Sequence, residues 1–117
     1  MNGELDIYEE NRPWGSFRRF TNNVSSTVKI ITVLPNEQLS LQSHQKRSEF
    51  WRVLKGGGYF EIDGNKHEVS IGDEYNVAIG AKHRIFSGAE GLEILEIGLG
   101  EFDEEDIVRY EDKYGRS

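Results

Sequence analysis

The chain has 117 residues, a formal net charge of −7, three histidines and no cysteine. A chain of this length is expected to fold as one domain without cross-links, and the missing cysteines suit a reducing, cytoplasmic location. The acidic excess argues against nucleic acid and anionic membranes as partners. The N-terminus does not resemble a signal peptide, and no apolar run approaches the roughly 20 residues that span a bilayer.

Strand patterns dominate the first half of the chain. Residues 26–35 are rich in β-branched side chains and end at a proline. Residues 39–56 form a second strand-like run, in which Gln42, His44 and Lys46 occupy every second position. Alternate side chains of a strand point to the same face. Three polar side chains on one face therefore suggest a site for a metal or an anionic ligand.

Turn signals divide the second half into further short strands. The glycines at 56–58 predict a turn between two strands, and residues 63–65 (Asp-Gly-Asn) predict a hairpin. Residues 72–73 and Gly80 mark two more turns, and a final strand is expected around residues 92–97. Short strands with turns at roughly 8–12-residue spacing are typical of an all-β sandwich or barrel.

The C-terminal residues change to a helical pattern. Ile107, Tyr110 and Tyr114 fall at helical spacing, with Asp103 as a possible N-cap and Gly115 as a stop. We expect a short helix packed on the outside of the barrel. Covering a sheet edge is a more common role for such a helix than a catalytic one.

Two histidines and a carboxylate are the candidate metal ligands. His44, Glu49 and His83 together suit a divalent metal with open positions for water or substrate, and Gln42 offers a possible fourth ligand. Spacing alone leaves the alternative that the two histidines are independent, because they lie about 40 residues apart.

Four separate segments carry a family resemblance. They are "RPWGSF" (Arg12 to Phe17), "LSLQSHQKRSEFW" (Leu39 to Trp51), "IGAKHRI" (Ile79 to Ile85) and "EDIVRYEDKYGR" (Glu105 to Arg116). In this order they resemble the cupin domain of type II phosphomannose isomerases, which occurs alone or as the C-terminal part of bifunctional guanylyltransferase/isomerases.

The resemblance implies a fold and a division of the chain into three segments. It implies a single-domain cupin, a double-stranded β-helix or jelly-roll barrel, with a short C-terminal helix. Residues 1–11 would form an N-terminal arm, residues 12–100 the barrel, and residues 101–117 a helical segment packed on it. Cupins of this size often pair through edge strands, so a homodimer is expected.

The resemblance also implies a metal site. The family's usual second histidine is replaced here by Lys46, a poor metal ligand. The Gln-x-His arrangement of Gln42 and His44 resembles the zinc site of type I phosphomannose isomerases instead. The expected ligands are therefore Gln42, His44, Glu49 and His83, holding zinc, with manganese, cobalt, nickel or iron as alternatives.

The activity implied is the interconversion of mannose 6-phosphate and fructose 6-phosphate through an enediol. Lys46, Arg84 and Glu49 are the residues expected to take part in catalysis, with Lys46 either as base or as stabiliser of the enediolate. A phosphorylated hexose needs local cations in so acidic a chain. Arg84, Lys46 and Lys82 are the candidates, and Trp51 is a candidate for the pocket mouth. For Lys82 and Arg47, a solvated surface charge is an equal alternative.

Two rival functions stay open at this point. One is a cupin that binds a sugar ligand without turnover, which the replacement by Lys46 favours. The other is a metal cupin of different chemistry, a dioxygenase or a sugar epimerase. Oxygen consumption would separate a dioxygenase from an isomerase.

Overall fold

A computed structural model describes residues 5–111. That part of the chain contains nine strands and no helix. Among the described residues there is accordingly no helix long and apolar enough to cross a bilayer. The strands are β1 (Tyr8–Arg12), β2 (Gly15–Arg19), β3 (Ser26–Val33), β4 (Leu41–Ser43), β5 (Arg47–Ile62), β6 (Asn65–Ser70), β7 (Glu74–Val77), β8 (His83–Gly100) and β9 (Val108–Glu111). The prediction of an all-β fold is confirmed.

Two long strands organise the molecule. β5 and β8 run antiparallel along their whole length, from the pair Arg47–Gly100 to the pair Ile62–His83. β6 and β7 attach to β5, while β3 and β4 attach to β8, and β9 pairs with β4. β1 and β2 form a separate hairpin. Because β4 and β5 both border β8, residues far apart in the chain are brought to the same region.

The glycines predicted to form a turn lie inside β5 instead. Gly56 has a positive φ of 76°, and a Cβ built on it would lie 2.1 Å from the Gly91 carbonyl oxygen. A Cβ on Gly58 would lie 2.0 Å from the carbonyl oxygen of Phe86. The pairing with β8 shifts register here. Glycine is therefore required because the backbones of two bulged strands approach each other closely, not because the chain reverses.

An apolar core fills one part of the interior and stops at a polar residue. Trp51 and Val53 point inward from β5 and pack with Phe60, and all three are almost fully buried. Phe50, on the opposite face of β5, packs on Phe20 with ring centroids 5.5 Å apart. Burial of each such side chain contributes roughly 1.5–3 kcal/mol. Glu49 has the same inward parity as Trp51, so the polar site begins where the core ends.

The predicted C-terminal helix is wrong. Val108–Glu111 forms β9, which pairs with β4 and so supplies that short strand with a second neighbour. The Asp103 side chain does not cap a helix but accepts a hydrogen bond from the backbone N–H of Glu105, at 2.9 Å. A helix this short is marginal by itself, whereas pairing with a strand satisfies the backbone. Tyr114 and Gly115 lie outside the described residues.

Candidate metal centre

Three of the expected metal ligands meet in the interior. The ligand atoms of His44, Glu49 and His83 all lie within 4.8 Å of one another, and all three side chains are buried. His44 follows β4, Glu49 lies on β5, and His83 begins β8. The Glu49 carboxylate is 3.3 Å from Nε2 of His44 and 3.8 Å from Nε2 of His83. Two imidazoles and a carboxylate at these separations can share one cation.

Both imidazoles are oriented by backbone carbonyls. Nδ1 of His44 donates to the carbonyl oxygen of Asp106 at 2.6 Å, and Nδ1 of His83 donates to that of Ala81 at 3.0 Å. These bonds fix the proton on Nδ1 and leave the Nε2 lone pairs facing Glu49. Burial lowers the pKa of His83, which keeps its imidazole neutral, as metal binding requires. The three residues therefore fit a divalent cation.

Asp106 positions the loop that carries His44. Its carboxylate accepts hydrogen bonds from the backbone N–H groups of Gln45 and Lys46, both at 2.9 Å. The bond from Gln45 is the largest cause that lowers the pKa of Asp106. The segment expected to be a helix thus supports the metal centre. Sequence reasoning missed this role because nothing local links residue 106 to residue 44.

Arg47 contacts two of the three candidate ligands. Its Nε donates to Oε2 of Glu49 at 3.1 Å, and its Nη2 donates to Nε2 of His44 at 3.2 Å. The other carboxylate oxygen of Glu49 accepts a bond from Nε1 of Trp51 at 2.9 Å. The alternative of a solvated Arg47 is wrong, since only 7% of the residue is exposed.

These residues line a cavity of about 170 Å³. Its other lining residues come from several strands and from the segment before β9: Lys29, Ile31, Leu39, Gln42, Trp51, Arg84, Ile85, Glu96, Glu104, Ile107 and Arg109. The side-chain nitrogen of Gln42 donates to the carbonyl and hydroxyl oxygens of Ser40, at 3.3 and 3.1 Å. An amide that donates through nitrogen keeps its carbonyl oxygen as an acceptor, the atom a metal would use.

Two arginines add positive charge to the cavity lining, Arg84 as a buried residue and Arg109 as a half-buried one. Gln42 lies opposite His83 on one side and opposite Arg109 on the other, which places these side chains in one row across three strands. The Nε atoms of Arg84 and Arg109 are buried and have no hydrogen-bond partner among the described residues. Arg84 also donates to the carbonyl of Glu111 at 3.1 Å and pairs with its carboxylate at 3.0 Å.

Glu96 is a buried acid that sequence reasoning missed. Burial, reinforced by the charge of Glu49, raises its pKa to about 7, while Lys29 and Arg47 oppose the shift. Lys29 faces it from β3. A signal was available, because Glu96 has the same strand parity as Leu92 and Ile94 and so falls on an otherwise apolar face.

Not every expected ligand-binding residue reaches the cavity. Lys46 lies outside its lining, with its side chain 49% exposed and paired to Glu101 at 3.5 Å. Glu101 raises the pKa of Lys46, opposite to the lowering expected for a base. Lys82 also lies outside, with Nζ 4.3 Å from the ring centre of Tyr110. Trp51 does line the cavity, but it is a core residue that is only 1% exposed, so it does not lie at the cavity mouth.

The fold and the site define the class of protein. The structure is similar to the crystal structure of a cupin protein from Bacteroides fragilis, with a TM-score of 0.60 and 26% identity. The match covers 68% of this chain and 70% of that one. A His-Glu-His group inside an antiparallel barrel agrees with this likeness, and the protein is a cupin.

The particular family follows from the sequence. The chain belongs to the family described as Mannose-6-phosphate isomerase C-terminal, whose model matches residues 4–112. The resemblance stated above is thereby confirmed.

Curated relatives correct the expected activity. Mannose-1-phosphate guanylyltransferase ManC of Salmonella typhimurium is 36% identical over 107 residues, which is 90% of this chain and 22% of that protein. Alginate biosynthesis protein AlgA of Pseudomonas putida is 37% identical over 115 residues, 97% of this chain and 23% of that protein. The chain thus spans about a fifth of the length of the curated relatives it matches.

The prediction of a mannose-6-phosphate isomerase is contradicted by these relatives: ManC carries the name of a guanylyltransferase, and neither relative carries the name of an isomerase. The catalytic roles given to Lys46, Arg84 and Glu49 were part of that reaction. The motifs behind the prediction describe how neighbouring strands bring metal ligands together. They do not specify which bond the protein changes, because one fold serves many reactions.

Proposed function

We propose that this chain is a metal-binding cupin domain that binds a phosphorylated hexose, with zinc as the cation. One observation carries the proposal: a His-Glu-His group, two buried arginines and two half-buried cations line the same cavity of a chain whose net charge is −7. The names of the relatives, which include mannose 1-phosphate, support a hexose phosphate as the ligand.

The metal half of the proposal rests on the ligand chemistry. His44 and His83 offer neutral Nε2 atoms, and Glu49 offers a carboxylate between them. Nitrogen and oxygen donors of this kind, with an open position, are typical of zinc sites. Gln42 is the proposed fourth ligand. When bound, a divalent cation there would act as a Lewis acid toward sugar oxygens.

The phosphate half rests on charge and on unused hydrogen-bond donors. A phosphate monoester carries close to two negative charges, and the chain as a whole repels it. Arg109 and Arg84 are the proposed phosphate ligands because their buried Nε atoms lack partners among the described residues. A buried donor without a partner is costly, and a bound oxyanion would satisfy it. Arginine is well suited to this contact.

The test is calorimetric titration of the purified chain with mannose 1-phosphate, mannose and inorganic phosphate, each with and without a chelator. We expect mannose 1-phosphate to bind more tightly than either fragment, and its affinity to fall on chelation. Arg109→Met should weaken its binding about 10–100-fold, the range expected for lost hydrogen bonds to a charged group. Lys55→Met removes one exposed charge and is the matched control.

Two results would contradict the proposal. Equal affinities for mannose and mannose 1-phosphate would show that the chain has no site for the phosphate group. Undiminished binding of mannose 1-phosphate in the presence of chelator would show that the metal takes no part in binding it.

The expected homodimer and cytoplasmic location stay predictions. Light scattering coupled to size-exclusion chromatography measures the mass in solution and would contradict the dimer if it gave 13.4 kDa, the mass of one chain.

A further inference from the structure

We infer that Arg47 is an internal cation that competes with the metal for His44 and Glu49. Its guanidinium donates to both side chains at once, at 3.2 Å to His44 Nε2 and 3.1 Å to Glu49 Oε2. The inference rests on the proposed metal site and adds to it a residue that sets how tightly the metal binds.

The competition follows from the lone pair of His44. Nδ1 of this imidazole already donates to the carbonyl of Asp106, so Nε2 carries the only ring lone pair. That lone pair accepts the hydrogen bond from Arg47. One lone pair cannot accept a hydrogen bond and bind a metal at the same time. A metal that uses His44 must therefore displace the Nη2 group of Arg47.

Charge explains why the guanidinium occupies this position. Glu49 is 3% exposed, and a buried carboxylate without a counter-charge is strongly destabilising. Trp51 supplies a neutral donor to one oxygen, and Arg47 supplies the charge at the other. A divalent cation would supply the same compensation. The chain thus has a way to keep Glu49 paired when no metal is bound.

The displaced guanidinium has other partners within reach. Arg47 already lies over the ring of Phe102, with 4.4 Å between its Cζ and the ring centre. Its Nη1 is also 3.5 Å from the carbonyl oxygen of Asp103. Both groups belong to the segment between β8 and β9. A small rotation of the side chain can strengthen these contacts as the bond to His44 is lost.

The experiment compares zinc affinity in the full chain and its variants, measured by competition with a chromophoric chelator. Arg47→Met keeps an unbranched buried side chain and removes both donors. We expect it to bind zinc at least about tenfold more tightly than the native chain. Arg52→Met is the matched control: it removes an arginine of the same strand that donates to a different carboxylate, Glu74. Its zinc affinity should match that of the native chain.

Arg47→Lys separates the guanidinium contact from its charge. An ammonium keeps the charge but lacks the planar fork that reaches two acceptors at once. We expect zinc to bind this variant at least about threefold more tightly than the native chain, the effect of losing one hydrogen bond to a ligand. It also serves the test if the methionine variant does not fold, which circular dichroism would reveal.

The outcomes separate this inference from the proposed function. Zinc affinity in Arg47→Met that equals or falls below that of the native chain overturns the competition and leaves the metal site standing. An Arg47→Lys variant identical to the native chain, beside a tighter Arg47→Met, also overturns it, because charge alone would then be the cause. No zinc binding by any folded variant or the native chain overturns the metal site itself, and the inference with it.

Discussion

Two arginine–glutamate groups in this protein have the same chemistry and different surroundings. In the outer group, Glu74 of β7 accepts hydrogen bonds from Arg18 of β2 and Arg52 of β5. These side chains are between 23% and 35% exposed. In the inner group, Arg47 pairs with Glu49, whose side chain is 2% exposed.

The outer group joins the β1–β2 hairpin to the main sheet. Because its side chains are partly exposed, solvent also stabilises their charges. In the inner group water is largely excluded, so both oxygens of Glu49 have protein donors and two imidazoles lie beside them. Burial therefore decides whether an arginine–glutamate pair is a surface salt bridge or part of a ligand site. Residue type alone does not.

Carboxyl groups show the same contrast in their pKa values. Arg18 lowers the pKa of Glu74 because the guanidinium stabilises the carboxylate. Burial raises the pKa of Glu96, in the cavity, to about 7. The two acids thus make opposite contributions to the pH dependence of folding.

The largest effect is expected from His83→Ala, which removes one inner ligand. Zinc affinity should fall more than about 100-fold, because changes that only disturb the support of a ligand already cost 10–100-fold. Calorimetric titration measures this. Glu74→Gln, which alters the outer group, should leave zinc affinity unchanged, and a comparable loss in both variants would contradict the contrast between the groups.

The next effect is a pH dependence that Glu96 gives to the metal-free chain. Its folded pKa of about 7 exceeds the ordinary value of 4.5. Its contribution to stability is therefore fully present below pH 4.5 and is lost as the pH rises to about 7. The loss is about 3–4 kcal/mol at most, at about 1.4 kcal/mol per pH unit.

Urea unfolding at a series of pH values, with a chelator present, measures this dependence. The difference between the native chain and Glu96→Gln isolates Glu96 from other groups, such as His83, that titrate in the same range. A difference that stays constant between pH 4.5 and 7 would show that Glu96 has no raised pKa in the folded protein.

The smallest effect is expected at the outer group. Glu74→Gln should lower the free energy of unfolding by about 1 kcal/mol at neutral pH, the size measured for partly exposed ion pairs. Because the folded pKa of Glu74 is lowered, its contribution is present above pH 4.5 and is lost on acidification. High salt should shrink it. A much larger loss of unfolding free energy that salt does not change would show that Glu74 behaves as a buried ion pair and would contradict the contrast between the groups.

Local patterns were enough for much of the fold. The β-branched side chains of residues 26–35 predicted β3, a strand around residues 92–97 was expected within β8, and Asp63–Asn65 predicted the hairpin that joins β5 to β6. Local patterns failed where a distant backbone took part. Gly56 and Gly58 serve the approach of β8, and the helical spacing of Ile107 and Tyr110 gave way to pairing with β4.

The sequence by itself determined the all-β class and the side chains that can hold a cation, because these depend on residue types and on local patterns. It indicated the cupin family through the resemblance of four separate segments. Only the tertiary structure decided which charges join the site. Lys46 lies close to His44 in the chain but projects outward, whereas Arg109, on a strand that borders β4, lines the cavity. The reason is geometric. Antiparallel strands bring distant residues opposite each other, whereas residues 44–46 lie in the bend between β4 and β5, where the strand alternation that predicted a shared face for His44 and Lys46 does not hold.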